Sequence, residues 1–290
     1  MPSFHPATIE DVHEVVSHAV ARRERLSISG GGSKRALGRP TETDGDLVLE
    51  RLAGIVSYEP AELVLTAKAG TPRAEIETAL AERDQMLAFE PPDWRVLLGD
   101  EDRMPTLGGV LACNLAGPRR VKTGAARDHF LGFSGVNGFG QIFKAGGKVV
   151  KNVTGYDVCK LMAGSYGTLA VIAEATVKVV PRPETSATLV VAGLDDASAV
   201  AVLADGLNSP HEVSAAAHVP QTLARHCDIK AIASTGTAMT ALRIEGPETS
   251  VRFRLGALRD LLAPRGDVIG LGEEPSRAMW RRIEIGRAHV

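Results

Sequence analysis

The sequence has few aromatic residues, few cysteines and almost no net charge, and each shortage excludes a class of protein. Of its 290 residues, 7 are Phe, 3 are Tyr and 2 are Trp. The cysteines Cys113, Cys159 and Cys227 are far apart and form no CxxC pair, which argues against a disulfide framework and a zinc cluster. With 33 Lys and Arg against 35 Asp and Glu, the chain lacks the basic excess that nucleic-acid binding requires, so we expect no nucleic-acid partner.

Long hydrophobic runs are also missing. No apolar segment reaches the ~18 residues that a transmembrane helix needs, and residues 1–5 carry neither the basic region nor the apolar stretch of a secretory signal. The hydrophobic share of 44% nevertheless suffices for a folded core and excludes wholesale disorder. The length predicts about two domains, at roughly 150 residues each.

The first part of the chain alternates helix and strand signals. Thr8, with Asp11 three residues further on, predicts a capped helix that runs to about Glu24. Thr71-Pro72 predicts the start of a second helix, with Thr71 as N-cap and proline at the first helical position. We interpret residues 1–92 as a small αβ lobe whose strands lie at 26–29, 46–50, 62–68 and 86–90.

Two further parts follow this lobe. In residues 104–183 turn residues alternate with short apolar strands, and Asn137-Gly138-Phe139-Gly140 predicts a hairpin turn in a second lobe. Beyond Pro181-Arg182-Pro183 glycine becomes rarer and alanine more frequent. We therefore place a domain boundary near residue 183 and expect an α/β module over residues 184–283, which makes the whole chain α+β.

Residues 284–290 receive a separate interpretation. They follow a predicted helix over 275–283 and contain no cap, turn or return strand. The heptapeptide EIGRAHV also resembles a translated sequencing adapter. We expect a non-native tail here and a natural chain that is truncated after residue 283.

Glycine is the residue in surplus, at 30 of 290 residues, against an average of ~7%. The first glycine segment, Gly30-Gly31-Gly32, follows a predicted strand directly and leads into Ser33 and Lys34. Such a turn leaves backbone N–H groups unobstructed and can form an anion-binding nest. The alternative is a flexible loop, and the segment matches neither the GxxxxGK[ST] phosphate loop nor the GxGxxG fingerprint.

Three later segments extend the pattern. Gly108-Gly109 predicts a helix start whose free N–H groups face an anion, with packing between lobes as the alternative. The basic residues of 117–129 could neutralise phosphate or form a solvated surface. Residues 164–172 place a glycine turn before a strand, whose backbone could contact a purine edge.

The ordered motifs GGGS, TLGGVLACNLAG, KTGAARDH and KNVTGYDVCKLMAGSYGTLAVIAEATVKVVP resemble the FAD-binding domain of the vanillyl-alcohol-oxidase flavoproteins, also called the p-cresol methylhydroxylase (PCMH) type. The resemblance implies a two-lobed FAD-binding domain over residues 1–183 and a ferredoxin-like α/β cap module after it. It also implies which residues contact FAD: Gly30, Gly31, Gly32 and Ser33 on one side of the diphosphate, Leu107, Gly108 and Gly109 on the other, Asn114 and Gly124 along the ribityl–flavin part, and Gly167 and Ile172 at the adenosine end.

Within this family the chain is most similar to FAD-binding subunits of bacterial glycolate oxidases. That resemblance implies oxidation of glycolate or D-lactate to the 2-oxo acid, with a sister FAD-linked oxidase subunit and an iron–sulfur subunit as partners. It further implies a cytoplasmic location or a peripheral one at the inner membrane, through the complex. A free-standing FAD-linked 2-hydroxy-acid dehydrogenase and a non-catalytic FAD-holding assembly subunit remain alternatives.

Other chemistry has little support in the sequence. Covalent attachment in this family often uses a histidine in the first glycine loop, and Gly32-Ser33-Lys34 contains none, so we expect noncovalent FAD. His129 could contact flavin or substrate, although a hydrogen-bonded loop histidine explains it as well. We predict no metal site and identify no catalytic residue, because no Ser-His-Asp set, carboxylate pair or metal triad is present.

Overall fold

The computed structural model describes residues 1–99, 101–147, 155–225 and 233–285. Mixed helix and sheet confirm the α+β class. The chain divides into two units, of which the first comprises Met1–Ala116 and Ala125–Pro181 and the second Gly117–Gly124 and Arg182–Val290. The division after Pro181 lies two residues before the expected boundary, and the assignment of 117–124 to the second unit was not foreseen.

The first unit begins with a helix on a small parallel sheet. Thr8 caps the helix as predicted: its Oγ1 accepts from the N–H of Asp11 at 3.1 Å, and the Asp11 carboxylate accepts from the N–H of Thr8 at 3.0 Å. The helix is α1 (Ile9–Arg22), and the sheet has the order β1-β3-β2, with β1 (Ser3–Phe4), β2 (Leu26–Ser29) and β3 (Gly45–Val48).

A five-stranded antiparallel sheet with the order β4-β5-β9-β7-β8 forms the rest of this unit, and β6 pairs with β10 beside it. The central strand β9 is buried along nearly its whole length, and its Thr176 Oγ1 lies 2.9 Å from Thr66 Oγ1 on the neighbouring strand. One hydrophobic cluster joins residues of both sheets. The strands are β4 (Ile55–Glu59), β5 (Val64–Lys68), β6 (Gln85–Met86), β7 (Phe130–Asn137), β8 (Ile142–Gly146), β9 (Ala170–Lys178) and β10 (Val180–Pro181).

Two local predictions in this unit are wrong in detail. The second helix begins at Arg73 with Pro72 as its cap, because the Thr71 hydroxyl instead bonds to the Lys68 carbonyl at 2.6 Å. Of the strand expected over 86–90, only Met86 lies in a described strand, as the second residue of β6. The helices that follow α1 are α2 (Arg73–Ala81), α3 (Arg95–Leu98), α4 (Leu107–Ala112), α5 (Arg120–Thr123, in the second unit), α6 (Ala126–His129) and α7 (Val158–Met162).

The second unit has the βαββαβ order of a ferredoxin-like fold. Its antiparallel sheet has the order β12-β13-β11-β14, with one hydrophobic cluster under α8 and α10 and another around Trp280 of α11. Helix α11 continues two residues past the expected end at 283, and residues 286–290 of the expected tail lie outside the described residues. The elements are β11 (Thr185–Ala192), α8 (Asp196–Leu207), β12 (Ala215–Val219), α9 (Gln221–Ala224), β13 (Met239–Gly246), α10 (Glu248–Leu262), β14 (Asp267–Leu271) and α11 (Glu273–Ile285).

Among the described residues, no helix has the length and apolar character needed to cross a bilayer.

A buried ion pair attaches the 117–124 segment to the second unit. Arg119 Nε donates to Glu245 Oε2 at 2.9 Å, and both side chains are about nine-tenths buried. Arg243 approaches the same carboxylate at 3.5 Å and lies over the Trp280 ring, 5.1 Å from its centroid. Burial alone would raise the pKa of Glu245, but the hydrogen bond from Arg119 and the two positive charges outweigh it and hold that pKa below its usual value.

We predict that Glu245→Gln lowers the free energy of unfolding of the second unit by about 3 kcal/mol, because it removes the negative charge that pairs with two buried guanidinium groups. Urea unfolding near neutral pH measures this loss. The lowered pKa means that the carboxylate stabilises the fold above 4.5, the ordinary value, so the difference from wild type disappears as the pH falls through the folded-state pKa.

Glu248→Gln is the matched control for this experiment. Its carboxylate pairs with Arg252 on an exposed helix surface, where an ion pair contributes less than about 1 kcal/mol. Equal effects of the two substitutions would contradict a special role for Glu245.

Candidate cofactor site

The loop after β2 presents a row of unbonded backbone N–H groups. Within the described ranges, the N–H groups of Gly31, Gly32, Ser33 and Lys34 donate to no protein acceptor, and bonding resumes at Arg35, which donates to the Gly32 carbonyl at 3.1 Å. Gly32 has φ +75°, a left-handed conformation that glycine adopts without strain. Successive free N–H groups in such a turn attract an anion.

The chain before α4 crosses this loop at very short range. A Cβ on Gly30 would lie 2.1 Å from Thr106 Oγ1, and one on Gly31 would lie 2.0 Å from the Met104 carbonyl oxygen. A side chain at position 31 would therefore require a shift of the backbone, and one at position 30 would displace the Thr106 side chain. The first glycine segment is packed against another segment, which argues against the flexible-loop alternative.

Helix α4 begins where the double glycine predicted, with Thr106 as its N-cap. The expectation of free N–H groups there is wrong for three residues. Leu107 donates to the Thr71 carbonyl at 3.0 Å, Gly108 to the Ala69 carbonyl at 2.8 Å, and Gly109 to the Thr106 hydroxyl at 3.4 Å. For Leu107 and Gly108 the cause is the close approach of residues 69–71. Gly108 is required by packing, since a Cβ there would lie 2.8 Å from Ala69 Cβ.

The glycine turn at 164–167 meets the other end of α4. The Leu111 and Ala112 carbonyls accept from the N–H groups of Gly164 at 3.2 Å and Tyr166 at 2.9 Å. A Cβ on Gly167, which has φ +76°, would lie 3.5 Å from Ile28 Cβ in β2. Three of the glycine segments therefore converge around α4 and the end of β2.

The remaining predicted residues lie at different places. Asn114 has φ +49°, adjoins Gly164, and accepts from the N–H of Arg127 through Oδ1 at 2.9 Å. Ile172 is buried in β9 opposite Gly135. Gly124 follows α5 and belongs to the second unit. Residues 151–154, which open the motif KNVTGYDVCKLMAGSYGTLAVIAEATVKVVP, lie outside the described residues.

The positive charges beside the loop differ from those expected. Lys34 Nζ donates to Ser33 Oγ at 3.0 Å, and the Arg103 side chain lies against Gly32, 3.0 Å from the position of a Cβ there. Arg103 was missed because it is 71 positions away in a stretch without a motif. Of the basic residues in 117–129, Arg119 is paired with Glu245 and does not carry a free charge.

Neither described cysteine is a reactive thiolate. Burial raises the pKa of Cys113, although the Lys34 charge partly opposes this effect, and burial also raises the pKa of Cys159 to about 11. Both thiols stay protonated near neutral pH. His129 is buried, and its ring contacts Phe89 with a centroid separation of 5.4 Å.

A cleft of about 590 Å³ opens beside Gly31. Its lining includes three acidic residues, Glu50, Glu101 and Asp102, against one basic residue, Arg103, so its net negative charge disfavours an anion. A diphosphate is therefore better matched to the N–H row, Ser33 Oγ and the Lys34 ammonium group than to this cleft.

A two-sheet α+β unit whose glycine turns meet beside free N–H groups and a cation is suited to a dinucleotide cofactor with an anionic diphosphate. Residues 3–146 match the family described as FAD binding domain. These residues belong to the PCMH-type family of flavoprotein domains, and FAD is the cofactor of the domain.

Two of the curated relatives are subunits of glycolate oxidases. The chain is 37% identical over 270 residues to the glycolate oxidase subunit GlcE of Escherichia coli, covering 93% of this chain and 66% of the relative. It is 31% identical over 185 residues to the glycolate oxidase subunit GlcD of Bacillus subtilis (63% and 38%). It is also 31% identical over 178 residues to a D-lactate dehydrogenase of Archaeoglobus fulgidus (61% and 38%). The chain thus spans less than two thirds of these relatives.

Solved structures share the fold across both units. Alkyldihydroxyacetonephosphate synthase superposes with a TM-score of 0.76 at 21% identity, covering 99% of this chain and 54% of that one. p-Cresol methylhydroxylase superposes with a TM-score of 0.74 at 13% identity, covering 97% and 60%. At these identities the likeness concerns the fold alone.

Gly108 and Gly109 provide a matched pair that separates packing from cofactor binding. We predict that Gly108→Ala lowers the free energy of unfolding of the FAD-free protein by about 1–3 kcal/mol, because the added methyl group overlaps Ala69. Gly109→Ala is expected to leave that free energy unchanged or higher, since its Cβ would meet Thr106 Oγ1 at 3.4 Å and Lys34 Nζ at 3.6 Å, both ordinary contacts.

FAD binding should show the opposite order of effects. The methyl group of Gly109→Ala lies beside the Lys34 ammonium group and is expected to weaken FAD binding, which titration of flavin fluorescence measures. A Gly109→Ala protein with wild-type FAD affinity would remove Gly109 from the cofactor site.

Proposed function

We propose that this protein is the FAD-binding subunit of a glycolate oxidase complex that oxidises glycolate or D-lactate to the 2-oxo acid. The observation that carries the proposal is the 37% identity to GlcE over 93% of the chain, which includes the second unit as well as the FAD domain. Two other relatives named for glycolate or D-lactate oxidation support the substrate class, a small 2-hydroxy acid.

The proposed partners are a sister FAD-linked oxidase subunit and an iron–sulfur subunit that receives the electrons. The names of two relatives, each a different subunit of glycolate oxidase, support an assembly of several chains. The iron–sulfur subunit and a peripheral position at the inner membrane rest on the family resemblance. In this proposal the chain works in the cytoplasm as part of the complex.

The residues of this chain bind and orient the cofactor. When bound, FAD supplies the two-electron acceptor for oxidation of the hydroxy acid. The N–H groups of 31–34 and Ser33 Oγ hold the diphosphate, and α4 with the 164–167 turn fixes the loop from the other side. We assign no substrate base among the described residues, so the sister subunit is the alternative site of turnover.

The test is an anaerobic titration of the purified FAD-loaded chain with glycolate, repeated with D-lactate. We predict that the visible flavin absorbance bleaches, and that a 2-oxo acid forms in proportion to the flavin reduced. A flavin that stays oxidised with either acid in the isolated chain, and bleaches only when the sister subunit is added, would favour the assembly role. A folded chain that shows no flavin absorbance after incubation with FAD would contradict the proposal.

We also predict that the FAD is held noncovalently, because the loop at 32–34 carries no histidine or cysteine. Acid precipitation of the holoprotein is expected to leave the flavin in the supernatant, where absorbance measures it. Yellow colour retained in the washed protein pellet would show a covalent bond.

A further inference from the structure

Lys34 carries a positive charge that no ion pair among the described residues neutralises. Its Nζ donates to the neutral hydroxyl of Ser33 at 3.0 Å, and within the described parts of the chain it forms no ion pair. The groups that face it are Cys113, Asp93 and Arg73. A partly buried ammonium group without a counter-ion costs free energy, so its presence calls for an anion from elsewhere.

Neither acidic candidate nearby supplies that anion. The Asp93 carboxylate is bound by Arg95 at 2.7 Å and lies 3.6 Å from Arg73, so two guanidinium groups already balance its charge. Burial raises the pKa of Cys113, and its thiol is neutral. The positive charge of Lys34 therefore remains available.

The position of the ammonium group connects it to the free N–H groups. The backbone N–H of Lys34 is the last of the four unbonded donors, and its Nζ turns back to the hydroxyl of Ser33, the residue before it. On its other side, Nζ lies 3.6 Å from the place where a Cβ of Gly109 would be. The ammonium group and the hydroxyl group therefore belong to residues 31–34, the same segment that carries the row of N–H groups.

We propose that Lys34 is a cofactor-binding residue whose ammonium group forms an ion pair with the diphosphate of FAD. The backbone N–H groups hold the diphosphate through partial charges, and Lys34 adds a full charge from a side chain. This inference depends on FAD binding and is independent of the substrate, so glycolate turnover and the role of Lys34 can fail separately.

The proposal has a consequence for pH. Without cofactor, burial lowers the pKa of Lys34 from its usual value, and an anionic partner raises it again. FAD affinity is therefore constant at pH values below the lowered pKa. It weakens as the pH rises through that value, because the neutral amine must then take up a proton to bind.

The experiment compares Lys34→Met with wild type in protein stripped of FAD. Methionine retains the length and apolar stem of the side chain and removes the charge. We expect the Kd for FAD to rise by about 10- to 100-fold near neutral pH, the usual effect of losing one charged hydrogen bond. The melting temperature of the FAD-free variant should equal or exceed that of wild type, since an unpaired buried charge is gone.

Ligand fragments assign the partner group within FAD. ADP, which carries the diphosphate, should lose affinity as FAD does, whereas riboflavin, which lacks phosphate, should bind both proteins equally. The variant should also lose the pH dependence of FAD binding. Lys144→Met, which removes an exposed lysine of β8, is the control for a general change of charge and should bind FAD as wild type does.

Three outcomes would overturn the proposal. An unchanged Kd for FAD would remove Lys34 from the site. A loss of affinity for riboflavin equal to that for FAD would place the ammonium group at the flavin ring instead. An equal loss in Lys144→Met would reduce the effect to overall charge.

Discussion

The close crossing of the glycine loop by the chain before α4 is the constraint on which the site depends. At Gly30 and Gly31 a Cβ would stand about 2 Å from atoms of residues 104–106, so only bare backbone allows the two segments to meet. This crossing brings the end of β2 to the start of α4. The far end of α4 in turn holds the turn at 164–167 through two carbonyl groups. Removing the crossing would separate the glycine loop from the start of α4.

Packing and ligand binding are served by the same surplus of glycine. Gly108 has no side chain because Ala69 occupies the space, whereas Gly32 has none because the loop must turn through a left-handed conformation. The engaged N–H groups of Leu107 and Gly108 fix the helix start, and the unengaged ones of 31–34 remain for an anion. A cofactor site of this kind combines two stretches of backbone. The N–H groups of one are hydrogen-bonded within the protein and fix its position, and those of the other are left for the ligand.

The features that could be predicted from the sequence are those that depend on residues close together in the chain. The Thr8–Asp11 capping box, the 137–140 hairpin turn and the helix start before Gly108 could be predicted because each depends on residues a few positions apart. Pairings between distant residues could not. The partner of Arg119 is 126 positions away, and the N–H groups of Leu107 and Gly108 donate to carbonyl groups in residues 69–71. Strands β4 and β14 lack a strong alternation of apolar and polar residues that would mark them as strands. The family resemblance supplied the cofactor and the residues expected to contact it, which no spacing in the sequence could specify.

The chain passes between its two units three times. It leaves the FAD unit after Ala116, returns at Ala125 and leaves again after Pro181, and the buried Arg119–Glu245 pair fixes the short excursion to the second unit. The units are therefore interleaved in sequence, and a single cut cannot separate them. Recombination between related flavoproteins at residue 182 would combine residues 117–124 of one parent with the remainder of the second unit from the other. Such a recombinant keeps the ion pair only if both parents carry Arg119 and Glu245, or if residues 117–124 are exchanged together with the rest of the second unit.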